Sequence, residues 1–92
     1  MNPHENETQN IRPQTILRLP TVIKETGLSR STIYLNIGNG LLTHPVKIGK
    51  RAVGWPRYEI LEINSARISG NNDEEIKLLV IKLEAARKTP RA

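Results

Sequence analysis

The chain has 92 residues, which is enough for one small domain with a modest core. It contains no cysteine, which excludes disulfides and thiolate-bound metals and fits a reducing cytoplasm. No apolar run approaches the length of a membrane span or a signal sequence, so we expect a cytoplasmic protein with no membrane partner.

The net charge of +5 is concentrated in one part of the chain. Residues 1–10 carry −2, residues 11–58 hold eight basic residues against Glu25 alone, and residues 59–92 hold six residues of each sign. A field of one sign suits a polyanion such as nucleic acid. The alternative is a basic surface selected for solubility.

The first 26 residues predict a tail followed by a short helix. Residues 1–14 are polar and offer almost nothing to bury, which predicts a disordered tail. A short extended run follows at residues 16–19. Pro20 suits the first turn of a helix, because its missing N–H would be unpaired there. The pattern predicts helix one over residues 21–26, with Val22 and Ile23 facing inward.

A glycine turn and a second helix are predicted next. Gly27 can adopt the left-handed conformation that ends a helix and strains other residues. Leu28 would hold the turn to the core, and either Ser29 or Ser31 would cap the second helix. This order is typical of a helix-turn-helix DNA-binding unit. The same turn also occurs in helical hairpins without that function.

The second helix, over residues 31–37, has hydrogen-bonding side chains at its N-terminal end. Ile33 and Ile37 are four apart on one face, so we expect them in the core. A Gly-Asn-Gly sequence at residues 38–40 ends the helix. The N-terminal end is where a recognition helix meets base edges and phosphates. Its candidate DNA-binding residues are Arg30, Ser31, Thr32 and Tyr34.

A basic β-hairpin is predicted after this helix. Apolar residues alternate with Lys47 over residues 46–48, as on a half-buried strand. Lys50 and Arg51 lie at the predicted tip, and residues 52–55 form the returning strand. A hairpin in this position is a wing, whose tip contacts the phosphate backbone or the minor groove. The candidate DNA-binding residues of the wing are Lys47, Lys50 and Arg51.

Trp55 is the only tryptophan, and phenylalanine is absent. With so few aromatic residues, we expect Trp55 in the core. An OB-fold or an RNA-recognition sheet needs several exposed aromatic residues, so both are disfavoured. Pro56 starts a third helix that runs towards Ile68, and a Gly-Asn-Asn break follows at residues 70–72.

A fourth helix is predicted from the most periodic segment, with Asp73 as its cap. One apolar stripe contains Ile76, Leu79, Val80, Leu83 and Ala86. A second stripe contains Leu78, Ile81 and Ala85. One stripe suffices to pack on a small domain. The second therefore either packs internally too or forms a contact surface within residues 76–86 for a second protomer or another protein.

No catalytic, metal or cofactor site is expected. His4 and His44 are the only histidines, and His4 lies in the tail. We find no catalytic triad, metal-ligand spacing or phosphate-binding loop. We therefore predict a protein that is not an enzyme. The chain divides into the tail, a DNA-binding domain over residues 15–70, and an amphipathic helix within residues 71–92 that packs on the domain or on a partner.

Residues 17–55 resemble the AlpA-type prophage regulators. The matching pieces fall in the right order at the right spacing. They are Arg18-Leu19-Pro20 with Val22, Thr26-Gly27-Leu28-Ser29-Arg30-Ser31-Thr32-Ile33-Tyr34, Pro45-Val46-Lys47-Ile48-Gly49 and Arg51-Ala52-Val53-Gly54-Trp55. The fourth helix lies outside the resemblance.

The resemblance implies a mainly α winged helix-turn-helix, related to the MerR and excisionase folds, that binds double-stranded DNA. Proteins of this type come from phages or genomic islands. They regulate transcription of the integrase, or act as excisionases that bend attachment-site DNA. The residues that carry over are Arg30, Ser31, Thr32 and Tyr34 in the helix, and Lys47, Lys50 and Arg51 in the wing.

The chain departs from the family pattern after the tyrosine. The family often has a basic and then an apolar residue, where this chain has Leu35 and Asn36. Either the inward face of helix two is rotated, or Leu35 packs and Asn36 contacts a base, which adds Asn36 to the candidates. A second possible function is a protein-binding module that inhibits a response regulator or integrase through the fourth helix. Salt-dependent DNA affinity distinguishes the two functions.

Overall fold

The computed structural model describes residues 15–88. The predicted tail and residues 89–92 lie outside the described residues. The elements are β1 (Ile16–Leu17), α1 (Leu19–Thr26), α2 (Arg30–Gly38), β2 (Val46–Lys47), β3 (Val53–Pro56), α3 (Arg57–Ile68) and α4 (Asp73–Ala86). The described chain is mainly helical with a small antiparallel sheet, in agreement with the predicted class.

Helix α1 begins two residues before its predicted start. The Arg18 carbonyl accepts hydrogen bonds from the N–H groups of Thr21 and Val22, both at 3.0 Å, so the first turn includes Leu19. Pro20 lies in that turn, as predicted. Gly27 ends the helix with a φ of 72°, which is the left-handed conformation expected of it.

Helix α2 is capped by Ser29, which settles the choice between the two serines. Its side chain accepts a hydrogen bond from the Thr32 N–H at 3.2 Å. Ile33 and Ile37 are buried, as predicted. The helix continues through Gly38, and Gly40 then adopts a φ of 76°, which confirms the predicted stop.

The sheet has the strand order β1-β3-β2, so the returning strand of the hairpin lies in the middle. The sequence predicted the extended run at residue 16 but not its pairing with β3. The strands meet closely at Gly54, because a Cβ there would lie 2.5 Å from Ile16 Cγ2 and 2.8 Å from the Leu17 carbonyl oxygen. Glycine at residue 54 therefore allows β1 to complete the sheet.

Trp55 is fully buried, as predicted, and its indole N–H donates to the Thr43 carbonyl at 2.9 Å. This hydrogen bond satisfies the one polar atom of the side chain and fixes the loop before β2. The surrounding core draws on every helix and on strands β1 and β3. Its buried apolar residues are Leu17, Val22, Ile33, Ile37, Leu42, Trp55, Ile60, Ile63, Ile76, Val80 and Leu83.

The cap of helix α4 is Asn72, so the prediction of Asp73 was wrong. Asn72 Oδ1 accepts from the Glu75 N–H, and Glu75 Oε1 accepts from the Asn72 N–H, both at 2.9 Å. This reciprocal capping box requires a glutamate three residues after the cap, which Asn72 has, whereas the residue three positions after Asp73 is Ile76. Asp73 becomes the first helical residue, where its charge still favours the helix dipole.

The two predicted stripes of α4 have different environments. Ile76, Val80 and Leu83 are buried in the core. Leu78 is 68% exposed and Ile81 is 65% exposed. The alternative in which both stripes pack internally is therefore wrong, because the second stripe faces away from the domain.

A cluster of four charged or ionisable side chains holds the end of α4 to the domain. Arg87 donates to both carboxylate oxygens of the fully buried Glu59, at 2.8 and 2.7 Å, and to the His44 carbonyl at 2.6 Å. Glu84 accepts from the His44 N–H at 2.7 Å and contacts His44 Nδ1 at 2.9 Å. We call His44, Glu59, Glu84 and Arg87 the C-terminal cluster.

The C-terminal cluster shifts the pKa values of two of its members. Burial raises the pKa of the Glu84 carboxyl, but hydrogen bonds from His44 and the charge of Arg87 outweigh burial and leave that pKa below its ordinary value. Hydrogen bonds to Glu59 raise the pKa of Arg87, against the opposing effect of burial. Through its contacts with Glu84 and Arg87, His44 links the loop before the hairpin to the C-terminal end of α4.

Candidate nucleic-acid interface

The outward face of α2 carries most of the residues predicted to contact DNA from that helix. Arg30, Ser31 and Tyr34 are exposed, whereas the neighbouring Ile33 and Ile37 face the core. Because four residues make slightly more than one turn, Arg30 and Tyr34 lie above one another on the same face. The structure thus brings a guanidinium, a hydroxyl and a phenol together at the surface.

The Thr32 hydroxyl is part of the helix cap. Ser29 Oγ donates to Thr32 Oγ1 at 2.9 Å, and Ser31 Oγ lies 3.3 Å from Ser29 Oγ. Thr32 is also only partly exposed. Its side chain therefore contributes to the start of α2 even when nothing is bound, which makes it a less direct candidate for base contact than Arg30 or Tyr34.

One alternative drawn from the sequence is that Leu35 packs inward while Asn36 contacts a base. The part of that alternative that concerns Leu35 is wrong. Leu35 is 62% exposed, and Asn36 is the more buried of the two. Residue 35 lies between Ile33 and Ile37, and two residues along a helix turn it by roughly 200°. When both isoleucines face the core, Leu35 must face solvent.

The hairpin presents its cations at its tip, as predicted. Strands β2 and β3 pair at Val46 with Gly54, and the Ile48 N–H donates to the Ala52 carbonyl at 2.9 Å to close the turn. Lys47, Lys50 and Arg51 are exposed. These three residues therefore form a basic surface on a hairpin whose base is fixed in the sheet.

None of the predicted DNA-binding residues takes part in an ion pair within residues 15–88. The ion pairs of that segment are His44–Glu84, Arg57–Glu25, Arg67–Asp73, Lys77–Glu74 and Arg87–Glu59. The charges of Arg30, Lys47, Lys50 and Arg51 are therefore not neutralised by any carboxylate of residues 15–88. A polyanion would meet them without first displacing a carboxylate of that segment.

Two further exposed cations share this property. Arg18, just before α1, and Lys24, within α1, are exposed and have no carboxylate partner in the described part of the chain. Sequence reasoning counted their charge but did not name them as contacts. Arg57 is the opposite case, because its Nη2 lies 3.4 Å from Glu25 Oε1 and its charge is partly neutralised.

Comparison with known proteins identifies the family. Residues 15–68 match the model of the family described as Prophage CP4-57 regulatory protein (AlpA), and this match covers more than half of the chain. The chain belongs to the AlpA family. The predicted resemblance is confirmed, and the matched segment runs from β1 to the end of α3, so α4 lies outside it.

Two relatives extend the comparison with AlpA proteins. A stretch of 58 residues is 47% identical to the DNA-binding transcriptional activator AlpA of Escherichia coli (strain K12), and covers 56% of this chain and 83% of that protein. A stretch of 61 residues is 38% identical to the uncharacterized protein ORF88 of Enterobacteria phage P4, and covers 66% and 69% of the two chains. No solved structure matches the chain significantly.

Across residues 15–88, no three His, Cys, Asp or Glu side chains are grouped so that they could hold a metal ion. Over the same range, no helix has the length and apolarity needed to cross a membrane. Within that range, the features that stand out are the exposed cations of α2 and of the hairpin.

Proposed function

We propose that this protein is a sequence-specific DNA-binding transcriptional regulator of phage or genomic-island origin that acts in the cytoplasm. The observation that carries the proposal is the set of exposed cations on α2 and the hairpin, none of which is neutralised by a carboxylate within residues 15–88. The printed name of the E. coli relative, a DNA-binding transcriptional activator, supports it.

In this proposal residues 15–70 act as a winged helix-turn-helix. Helix α2 enters the major groove, where Arg30 and Tyr34 contact base edges or phosphates with Ser31 beside them. The hairpin is the wing, and Lys47, Lys50 and Arg51 contact phosphates. Asn36 and Thr32 are secondary candidates on α2. The function is binding, and we assign no catalytic step, metal or cofactor to the protein.

The first test is the dependence of DNA affinity on salt. Six exposed cations without carboxylate partners lie in residues 15–51, so we expect roughly four to six phosphate contacts and a log–log slope of about −4 to −5. Titrations of a labelled duplex at several salt concentrations measure this slope. A flat dependence would contradict the DNA-binding function and favour a protein partner.

The second test separates base contacts from phosphate contacts. Arg30→Ala should reduce the ratio of specific to random affinity, because a good bidentate contact to a base contributes about 1–3 kcal/mol of discrimination. The control is Lys82→Ala, an exposed lysine on α4 outside the proposed interface. If Arg30→Ala kept the wild-type ratio, Arg30 would not contact a base.

We further propose that the DNA target is an attachment site or the integrase promoter, with excisionase activity as one outcome. The prophage description of the matching family supports this choice of target. Footprinting on a fragment that spans a candidate attachment site and on the integrase promoter distinguishes the roles. Protection of the promoter alone favours transcriptional regulation, and protection of the attachment site with stimulated excision favours an excisionase.

The exposed stripe of α4 supports a contact with a second copy of the chain. Its residues are separated alternately by four and three positions along the chain, which is the spacing found where two helices pack side by side. They are Glu74, Leu78, Ile81 and Ala85, and Lys88 continues the spacing two residues after α4 ends. In an antiparallel pair centred on Ile81, Leu78 lies opposite the small Ala85 of the other copy, and Glu74 lies opposite its Lys88. Both the sizes and the charges of the stripe are therefore self-complementary.

This contact is small, so we expect it to act between copies bound at neighbouring DNA sites, where effective concentration is high. Leu78→Glu with Ile81→Glu should leave the fold and single-site affinity near normal, and should abolish cooperative binding to tandem sites. The matched control is Glu62→Lys, an exposed charge change on α3. A different outcome is that the wild type binds tandem sites without cooperativity while the double variant fails to regulate transcription or to promote excision. In that case the stripe contacts another protein, such as integrase.

A further inference from the structure

Leu35 is a large, exposed apolar side chain on α2, beside the polar and charged groups at the N-terminal end of that helix. It is 62% exposed and lies on the outward side of α2, one turn after Ser31 and next to Tyr34. A single exposed leucine on a protein surface is ordinary. Leu35, however, lies on the face that we propose enters the major groove, so it would contact DNA there.

We propose that Leu35 contacts the 5-methyl group of a thymine and is a specificity-determining residue. This inference rests on the DNA-binding function proposed above. The thymine methyl is the apolar group that the major groove offers, whereas the other base edges present hydrogen-bond donors and acceptors. Placing Leu35 against one of those edges would remove water from a polar group without replacing its hydrogen bond.

Helix geometry gives the approximate position of the thymine. Leu35 follows Ser31 by four residues, which is about 6 Å along the helix axis at 1.5 Å per residue. Base pairs are spaced by about 3.4 Å. The thymine should therefore lie about two base pairs from the base or phosphate that the N-terminal end of α2 contacts.

Deoxyuridine in place of thymidine removes the methyl group and leaves the hydrogen-bonding edge unchanged, so it provides a direct probe. The wild-type protein first selects a preferred duplex from a random library, and each thymine of that duplex is then replaced singly by uracil. We expect one replacement to weaken binding by about three- to fivefold, the effect of burying one methyl group. The other replacements should have little effect.

The variant Leu35→Ala should bind the thymine and uracil duplexes equally at that position. Ile68→Ala is the matched control, because Ile68 is also an exposed aliphatic side chain but lies at the end of α3, and it should keep the full difference between the two duplexes. Circular dichroism checks that both variants are folded. Since both side chains are exposed, neither substitution removes core packing.

The outcomes distinguish this inference from the function on which it rests. If a preferred duplex is selected but no uracil replacement weakens the wild type, or if Leu35→Ala keeps the difference, Leu35 does not contact a thymine methyl. If the random library yields no preferred sequence, sequence-specific binding itself is contradicted, and the role of Leu35 is contradicted with it.

Discussion

The cations of the first half of the described chain differ from those of the second half in what surrounds them. Arg30, Lys50 and Arg51 are exposed and have no carboxylate neighbour within residues 15–88. In residues 57–88, most of the cations are paired, and Arg87 donates two hydrogen bonds to a fully buried glutamate. Lys82 and Lys88 are the exceptions in that half.

This difference shows that the same side-chain chemistry serves two purposes in one small protein. A buried pair such as Arg87–Glu59 must be complete, because removing one partner leaves an uncompensated charge in the core. An exposed unpaired cation contributes little to folding and remains available to an external anion. Substitutions in the two regions should therefore change different measurable quantities.

The largest effect on stability is expected from Arg87→Met, which leaves Glu59 buried without its partner. We expect a loss of about 3–5 kcal/mol in the free energy of unfolding, measured by urea denaturation. Lys88→Met is the control, because Lys88 is exposed and its replacement should change stability very little. The double variant Glu59→Met with Arg87→Met should recover much of the loss, since it buries no charge.

A loss below about 1 kcal/mol for Arg87→Met would place the pair among ordinary surface ion pairs. That result would remove the distinction between the two regions. It would also mean that α4 is held mainly by Ile76, Val80 and Leu83.

The next largest effect is expected from Gly54→Ala, which tests how the hairpin is held to the domain. The new methyl group would lie 2.5 Å from Ile16 Cγ2, so β1 and β3 must separate. We expect destabilisation of about 1–3 kcal/mol by thermal or urea unfolding. Gly38→Ala is the control, because an added Cβ there meets nothing within 4 Å. Equal stability of the two variants would mean that the close approach of β1 is unimportant.

Arg51→Ala tests the unpaired cations at the hairpin tip. A phosphate contact carries no base identity, so affinity for specific and random duplexes should fall by the same factor, and the salt slope should decrease in magnitude by about 1. Fold stability should not change. Lys82→Ala, an unpaired exposed lysine on α4, should leave the slope unaltered.

The sequence also allows another role for Arg51, a surface ion pair with Glu59, but the structure contradicts it. Glu59 is fully buried and its two oxygens are bonded to Arg87. An unchanged salt slope for Arg51→Ala would therefore mean that the hairpin tip does not contact the duplex.

The smallest effect is expected from acid titration of the C-terminal cluster. The pKa of Glu84 lies below its ordinary value of 4.5, so its stabilising contribution is fully present above that pH and is lost as the pH falls through the lowered pKa. As the pH falls through this pKa, the free energy of unfolding should decrease less in Glu84→Gln than in the wild type, by a difference of less than about 1 kcal/mol. Glu62→Gln, an exposed carboxylate on α3, is the control. Identical acid profiles for wild type and Glu84→Gln would contradict the coupling to His44.

The sequence by itself determined the local elements. The left-handed turn at Gly27 and the buried faces of α2 and α4 each follow from residues close together along the chain, and the burial of Trp55 follows from the scarcity of aromatic residues. Backbone conformation and helical periodicity depend on such short-range information. The same information narrowed the cap of α2 to two serines, although it chose the wrong cap for α4.

Only the tertiary structure decided which distant residues meet. Glu59 and Arg87 are 28 residues apart, and His44 and Glu84 are 40 apart, so no local pattern marks them as partners. The pairing of β1 with β3 at Gly54 is equally non-local. These contacts determine which charges are used inside the protein and which remain outside. On α2, the burial of Ile33 and Ile37 in the core leaves Leu35 facing solvent on the opposite side of the same helix.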